Sequence, residues 1–261
     1  MEWRLISEQR LGGAAAMAFD EIAAETVASG GPATVRLYRW SPSTLTLGYG
    51  TEPDEIDWAF CDSEGIDVTR RPTGGGGIYH DHVGDVAYSI VAPAEPFPSD
   101  VTDCYRQLCE PVLSAFERIG VDVDFADAPR AAIHSPACYL RAMDPRHDLT
   151  GPDGRKIAGN AQYRTREAIV QHGSLTFSVD ADRHLGCFAD PPDAETFRER
   201  VGGVDEYADV ERADFVAALE AELADWAGAD PGSWSDDERR RCADRVEAKF
   251  GADAWVRERT T

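Results

Sequence analysis

Residues Arg70-Arg71-Pro72-Thr73-Gly74-Gly75-Gly76-Gly77-Ile78-Tyr79-His80-Asp81 constrain this chain more than any other stretch. Four successive glycines bring no side chains to a core, and ordering their backbone is entropically costly. What they offer is bare backbone, whose closely spaced N–H groups can curl into a nest for an anion or a carbonyl oxygen. The two preceding arginines carry guanidinium forks that suit a phosphate or carboxylate. Ile66-Asp67-Val68-Thr69 before the run and Val86-Ala87-Tyr88-Ser89-Ile90-Val91 after it read as strands from their β-branched content. The loop therefore belongs at the mouth of a sheet, where ligands commonly bind. A flexible surface hairpin is the plainer alternative, but linkers rarely carry Arg-Arg before and Tyr-His-Asp after. The spacing matches neither a P-loop nor a dinucleotide fingerprint.

A chain of 261 residues with six Trp and ten Phe has ample apolar material for a packed core, so its net charge of −22 does not signal disorder. The acids are spread along the chain, and Lys156 and Lys249 are its only lysines. Such a surface resembles that of halophilic proteins, kept soluble in strong salt by a large negative charge. With no basic face, nucleic acid is disfavoured as a partner. Six cysteines form no CxxC and no zinc spacing; with no secretory h-region after Met1, the expectation is a reducing cytoplasm. No apolar run is long enough to span a bilayer.

Leu11, Ala15, Ala18 and Ile22 recur at helical spacing and predict a helix over residues 11–28, closed by Gly30-Gly31-Pro32. Residues 34–40 and 44–49 read as a hairpin around Ser41-Pro42-Ser43, and 56–64 as a short helix. Ser99 is the expected cap of a helix with core stripe Tyr105, Leu108, Val112, Phe116 and Ile119, and residues 121–125 read as a strand. In residues 169–177, alternation puts Leu175, Phe177 and then Val179 on one face and His172, Ser174 and Thr176 on the other. Beyond Asp190 the pattern is helical. Val216, Leu219, Leu223 and Trp226 form one stripe, and Ser235-Asp236-Asp237-Glu238 is a capping box opening a last helix to about Phe250. This tail, 191–261, shows no chemistry and reads as the helical end of a single domain spanning 1–261.

In a chain that uses arginine almost everywhere, Lys156 between Gly154 and Gly159 asks for a reason. A compact ammonium can hold one reacting oxygen where a broad guanidinium cannot. Cys138 reads either as an inert small hydrophobe or as a thiolate activated by a nearby cation such as Lys156. His172 reads equally as a hydrogen-bonded strand histidine or a proton carrier, His80 as lining the site, and Tyr79 as packing. His80, Asp81 and His82 do not complete a metal-ligand set.

Ala16-Met17-Ala18-Phe19-Asp20-Glu21, Arg36-Leu37-Tyr38-Arg39-Trp40, the arginine–glycine loop, Lys156-Ile157-Ala158-Gly159-Asn160-Ala161-Gln162 and Gln171-His172-Gly173-Ser174-Leu175 together resemble the lipoate–protein ligase A family. That family includes octanoyltransferases and is related to biotin protein ligases. The match covers about residues 3–180. The departures are Gly77 for an expected alanine, Asp85 for an expected asparagine, and a longer polar loop at 144–153. The glycine–arginine loop expected of biotin ligases is absent.

The resemblance implies an α+β fold with a mixed, largely antiparallel sheet flanked by helices, akin to class II aminoacyl-tRNA synthetases and biotin protein ligases. It implies one of two chemistries. A ligase would use lipoate, ATP and Mg²⁺ to make lipoyl-adenylate for a lysine of a lipoyl domain. An octanoyltransferase would need no cofactor. It would move octanoyl from acyl carrier protein to that lysine through a Cys138 thioester. Acceptors would be the lipoyl domains of 2-oxoacid dehydrogenase complexes or the glycine cleavage H protein. Lys156 would face the reacting carbonyl. Arg70, Arg71, Gly74, Gly75, Gly76, Gly77, His80, Asp85, Gly159, Asn160 and His172 would bind the acyl or adenylate group. A lone cysteine is more often structural, which puts the ligase first. The Ala137-Cys138-Tyr139 segment resembles that of octanoyltransferases, which keeps the second reading close. A non-catalytic acyl-ligand binder is the third.

The charge generates a first prediction. Enzyme and acidic acceptor domains repel at low ionic strength, and at about 1 M salt the Debye length falls to about 3 Å. Folding and acyl transfer are both expected to improve as salt rises to molar levels. The check is circular dichroism and transfer rate across a salt series; activity peaking in dilute buffer with an unchanged spectrum would contradict it.

Overall fold

A computed structural model describes residues 1–260. Strand β1 (Trp3–Leu11) leads into helix α1 (Gly13–Ala28), followed by β2 (Ala33–Trp40) and β3 (Thr44–Leu47). A 3-10 turn at Pro53–Glu55 and α2 (Trp58–Ser63) precede β4 (Asp67–Arg70), the glycine loop, β5 (Ile78–His80) and β6 (Asp85–Pro93). Then come α3 (Val101–Arg118), β7 (Asp124–Phe125), a long loop with a 3-10 turn at Cys138–Leu140, β8 (Asp148–Thr150), β9 (Lys156–Arg164) and β10 (Ala168–Thr176). The chain ends with α4 (Ala181–Gly186), α5 (Ala194–Arg200), α6 (Arg212–Ala227), β11 (Asp230–Pro231), α7 (Asp236–Arg245), a π turn at Val246–Phe250 and α8 (Asp253–Val256).

The large sheet runs β11-β1-β2-β6-β10-β9-β8-β7, and the small one β4-β3-β5. In the large sheet β1 pairs in parallel with β2 and β11, and every other pairing is antiparallel. This is the mixed, mostly antiparallel α+β fold expected. One face carries α3 and α6, whose Leu108, Val112, Phe116, Phe215 and Leu219 bury against Val35, Leu37, Ile90, Ile169 and Leu175. On the other face Met17, Ile22 and Val27 of α1 meet Tyr38, Trp40, Val91 and Val170. A third cluster, with Leu45, Leu47, Tyr79, Leu185, Phe188 and Phe197, underlies the small sheet. No described helix is long and apolar enough to cross a membrane.

Several local expectations change. The 34–40/44–49 hairpin does not form: β2 pairs with β1 and β6, whereas β3 joins β4 and β5 in the other sheet. Ser41 N–H donates back to Leu11 O and Asp67 N–H to Ser43 O, so the chain crosses from one sheet to the other at this turn. Leu11 ends β1, a strand that periodicity did not reveal. Helix α1 starts at Gly13, where a β-carbon would lie 2.5 Å from Thr44 Cγ2. Its burial runs nearly all round, because sheets and C-terminal helices pack on several sides. Asp100, not Ser99, caps α3, accepting from Asp103 N–H. The predicted 121–125 strand shortens to two residues, and the predicted last helix breaks at Arg245 into the π turn. The Ser235 capping box and the α6 stripe stand as read.

The C-terminal tail closes on the base of the glycine loop. Thr69 Oγ1 donates to Phe250 O (2.8 Å) and Trp255 Nε1 to Arg70 O (2.8 Å). The fully buried Arg70 guanidinium donates to Val256 O (2.9 Å), Gly48 O (2.8 Å), Tyr49 O (3.1 Å) and Thr51 O (2.9 Å). Removing it strands several buried carbonyls at once. Arg70→Met is expected to cost about 3 kcal/mol or more in urea unfolding at fixed salt; a loss under about 1 kcal/mol would show that the tail is not pinned there.

Candidate active site

A cavity of about 270 Å³ opens between α1, the large sheet and the glycine loop. Tyr38 and Trp40 of β2, Gly159, Asn160, Ala161 and Gln162 of β9, and His172, Gly173 and Ser174 of β10 line one side. Thr73, Gly74 and Gly75 lie over it, and Arg141, Ala142 and His147 stand at its exposed rim. Gly173 lets Tyr88 and Asn160 pack against β10: a β-carbon there would sit 2.2 Å from the Tyr88 ring and 2.5 Å from Asn160 Oδ1. Asn160 accepts from Tyr88 O–H (2.6 Å) and donates to His147 O (3.1 Å), so it is held rather than free to rotate.

Arg71 builds the glycine loop. Its Nη1 donates to Thr46 O (2.7 Å) and Thr46 Oγ1 (2.9 Å), its Nη2 to Gly74 O and Gly76 O (both 2.8 Å), and its Nε to Thr73 Oγ1 (3.3 Å). Gly75 and Gly76 adopt φ of +105° and +78°, open only to glycine at low cost, and a β-carbon at Gly76 would lie 2.7 Å from Pro136 O. The loop then grips the cysteine segment: Gly77 N–H donates to Pro136 O and Cys138 N–H to Gly77 O, each at 2.7 Å. This bridge brings Cys138 Sγ to 4.0 Å from the β-position of Gly75.

Beside it, the buried Lys156 ammonium donates to Asp148 Oδ1 at 2.7 Å and lies 5.3 Å from the Tyr139 ring centre. Burial disfavours that ammonium, but Asp148 and then Cys138 outweigh burial and hold Lys156 above its ordinary range. Burial likewise opposes the Asp148 carboxylate, yet Lys156 and further hydrogen bonds hold it well below the usual range. At Gly159 a β-carbon would come within 3.6 Å of Lys156 Cε and 3.8 Å of Nζ, so the glycine keeps space beside the ammonium. Arg71 has no carboxylate partner among the described residues. Burial pulls its proton affinity down, and the acidic group that most opposes this is Cys138.

Both threonines that Arg71 grips continue into histidine–aspartate relays. Thr46 Oγ1 meets His80 Nε2 at 2.9 Å, and His80 Nδ1 meets Asp85, which also accepts from Ser174 Oγ (3.0 Å). Thr73 Oγ1 meets His172 Nε2 at 3.0 Å, and His172 Nδ1 meets Asp20 Oδ2 at 3.1 Å. Asp20 is in turn held by Arg36 (2.6 Å). Burial, against the pull of Asp85, keeps His80 below its ordinary pKa, so the ring is neutral at neutral pH. With Nδ1–H donating to the Asp85 carboxylate, Nε2 accepts from the threonine hydroxyl.

Of the residues singled out by sequence, the structure gathers Arg71, Gly74, Gly75, His80, Cys138, Lys156, Gly159, Asn160 and His172 around one cavity. Arg70, Gly76, Gly77 and Asp85 do not line it. Arg70 faces the C-terminal tail because neighbours on an extended strand point oppositely, and Asp85 stands behind His80. Sequence reading missed Asp148, Asp20, Thr46 and Thr73. Asp148 lay hidden in the polar 144–153 loop, and nothing in its neighbourhood marked it. Asp20 lay inside a motif quoted for resemblance alone. No described cluster of three or more His, Cys, Asp or Glu is disposed to hold a metal.

Residues 13–224 match the family model of the lipoyl protein ligase A/B catalytic domain. The octanoyltransferase LipM of Anoxybacillus flavithermus is 30% identical over 275 aligned positions, covering 97% of each chain. That of Kyrpidia tusciae is 32% identical over 272, again covering 97% of each. Among solved structures, a lipoate-protein ligase A bound with ATP superposes with a TM-score of 0.82 at 23% identity, covering 98% of each chain. The ligase of a bipartite lipoylation system from Thermoplasma acidophilum gives 0.79 at 24%, covering 98% of this chain and 96% of that one. This chain belongs to the lipoyl protein ligase A/B catalytic domain family.

Proposed function

We propose that this enzyme is an octanoyltransferase that carries the acyl group on Cys138 between an acyl carrier protein and the lysine of a lipoyl acceptor domain. The observation that carries the reading is the placing of Cys138 on the cavity wall, against the glycine loop, in the cavity that the buried cations Arg71 and Lys156 also line. The thiolate is the nucleophilic form of a cysteine. The names of the curated relatives support the same reading over the ligase that the sequence alone put first. The solved ligases, at 23–24% identity, speak for the fold alone. In the ligase reading Lys156 would face an adenylate, and ATP with Mg²⁺ would be obligatory.

The chemistry balances without a cofactor. Cys138 thiolate attacks the octanoyl thioester carbonyl. The oxyanion faces the Lys156 ammonium, which stabilises charge best in a dry, preorganised site. Collapse breaks the bond to the carrier sulfur, which leaves as a thiolate and takes up the proton lost by Cys138. The neutral amine of the acceptor lysine then attacks the new thioester. Its surplus proton goes to the departing Cys138 sulfur as the amide forms. His80 and His172 have both ring nitrogens engaged and hold the threonines that Arg71 grips. Met17, Tyr38, Trp40 and Ile78 give the cavity the apolar wall an eight-carbon chain needs.

Octanoyl-carrier protein without ATP is expected to leave an acyl mass on the enzyme, mapped by peptide mass to Cys138, and Cys138→Ser should lose transfer. Obligatory ATP, no acyl-enzyme and an active serine variant would return the ligase reading to first place.

Lys156→Arg should cost about 10²–10³-fold in transfer with an unchanged melting curve, because a guanidinium can keep Asp148 but misplaces the oxygen contact. Turnover near the wild-type rate would remove Lys156 from the mechanism.

A further inference from the structure

Charge is not distributed evenly along the chain. Residues 128–166, which supply Cys138, Lys156 and the rim, hold seven cations against three carboxylates, a net +4 in a chain whose total is −22. Arg130 and Arg141 are exposed, and among the described residues neither is paired with a carboxylate, although 48 acids are available. Arg141 lines the cavity mouth and donates to Ser135 O (2.8 Å). Arg130 lies over Gly154, two residues before Lys156. Between them is Ile133, 46% exposed, whose N–H donates to Leu140 O beside Arg141. Unpaired arginines around an exposed aliphatic residue are the composition of a protein-docking surface.

We propose that Arg130, Ile133 and Arg141 form the landing surface for the acyl donor, an acidic carrier protein whose phosphodiester-linked arm passes Arg141 into the cavity. This rests on the octanoyltransferase reading. The charge favours the donor over the acceptor. A donor arm brings a phosphodiester, which a guanidinium receives well, whereas an acceptor brings a lysine ammonium, which a cationic rim repels. The surface also answers a difficulty of the whole chain: at net −22 it repels any acidic partner at long range, and a local cationic patch supplies the attraction at contact.

The test uses the full chain in about 1 M salt, where the far field is screened to about 3 Å. Binding of octanoyl-carrier protein to the Cys138→Ser enzyme is followed by fluorescence anisotropy, with and without Arg130→Glu and Ile133→Asp. Acyl-enzyme formation with Cys138 intact is followed by intact mass, from octanoyl-carrier protein and from octanoyl-N-acetylcysteamine, which has neither protein nor phosphate. Expected are about tenfold weaker carrier binding and an equal fall in the ratio of carrier-borne to small-thioester rates. The milder Arg130→Gln should fall between, and melting curves should stay unchanged. Unchanged binding and ratio would overturn the proposal, and so would weakened binding of the lipoyl acceptor in place of the carrier. If neither donor acylates the enzyme while carrier binding still depends on Arg130, the docking surface stands and the transfer chemistry falls.

Discussion

The Arg71 guanidinium is the centre around which this site is assembled. A buried cation without a carboxylate is costly unless its donors are all used, and here each of its three nitrogens is. Two bonds hold carbonyls of the glycine loop, and two others reach Thr46 and Thr73, each the outer member of a threonine–histidine–aspartate relay. The relays end on different elements, Asp85 at the start of β6 and Asp20 in α1. One charge thus ties the small sheet, the glycine loop, α1 and the large sheet together. Four glycines would be a floppy lid in isolation; gripped this way they become a surface of fixed shape.

Lys156 is largely answered by Asp148 at 2.7 Å, so its charge is local and directional. Arg71 is answered only by dipoles, and it lines the same cavity as Cys138. Low dielectric strengthens both effects. One buried cation on the cavity wall is thus ion-paired and the other is not, inside an acidic protein.

The sequence exposed this site unevenly, for physical reasons. Lys156 stood out because lysine is scarce here, and the glycine run because nothing apolar can use it. The sheet class and the α3, α6 and α7 helices were legible, because amphipathic periodicity and a capping box are local signals. β1 and the exchange of β3 into a second sheet were not, because parallel pairing is decided by partners far along the chain. The partnership of Asp148 with Lys156 was invisible for another reason: it joins the first residues of β8 and β9, a short hairpin whose register shifts between Leu149 and Thr150. Arg70 was read as a site residue beside Arg71 because adjacency in sequence looks like adjacency in space. On an extended strand it means opposite faces.

That alternation couples the two ends of the molecule. Arg71 turns inward to the loop, while Arg70 turns outward to Val256 O and the 48–51 turn, and the Trp255 indole closes on Arg70's own carbonyl. The C-terminal helices do not line the cavity, yet they clamp the strand from which the glycine loop springs. Lys249 adds to this clamp, paired with Glu21 of α1 and lying 4.3 Å from the Trp255 ring centre. Glu21 follows Asp20, the end of the His172 relay. The tail therefore reaches the glycine loop by two routes, through Arg70 to its base and through α1 to its hydrogen-bonded edge. A segment that looked like inert helical filler sets how firmly the loop is held above Cys138.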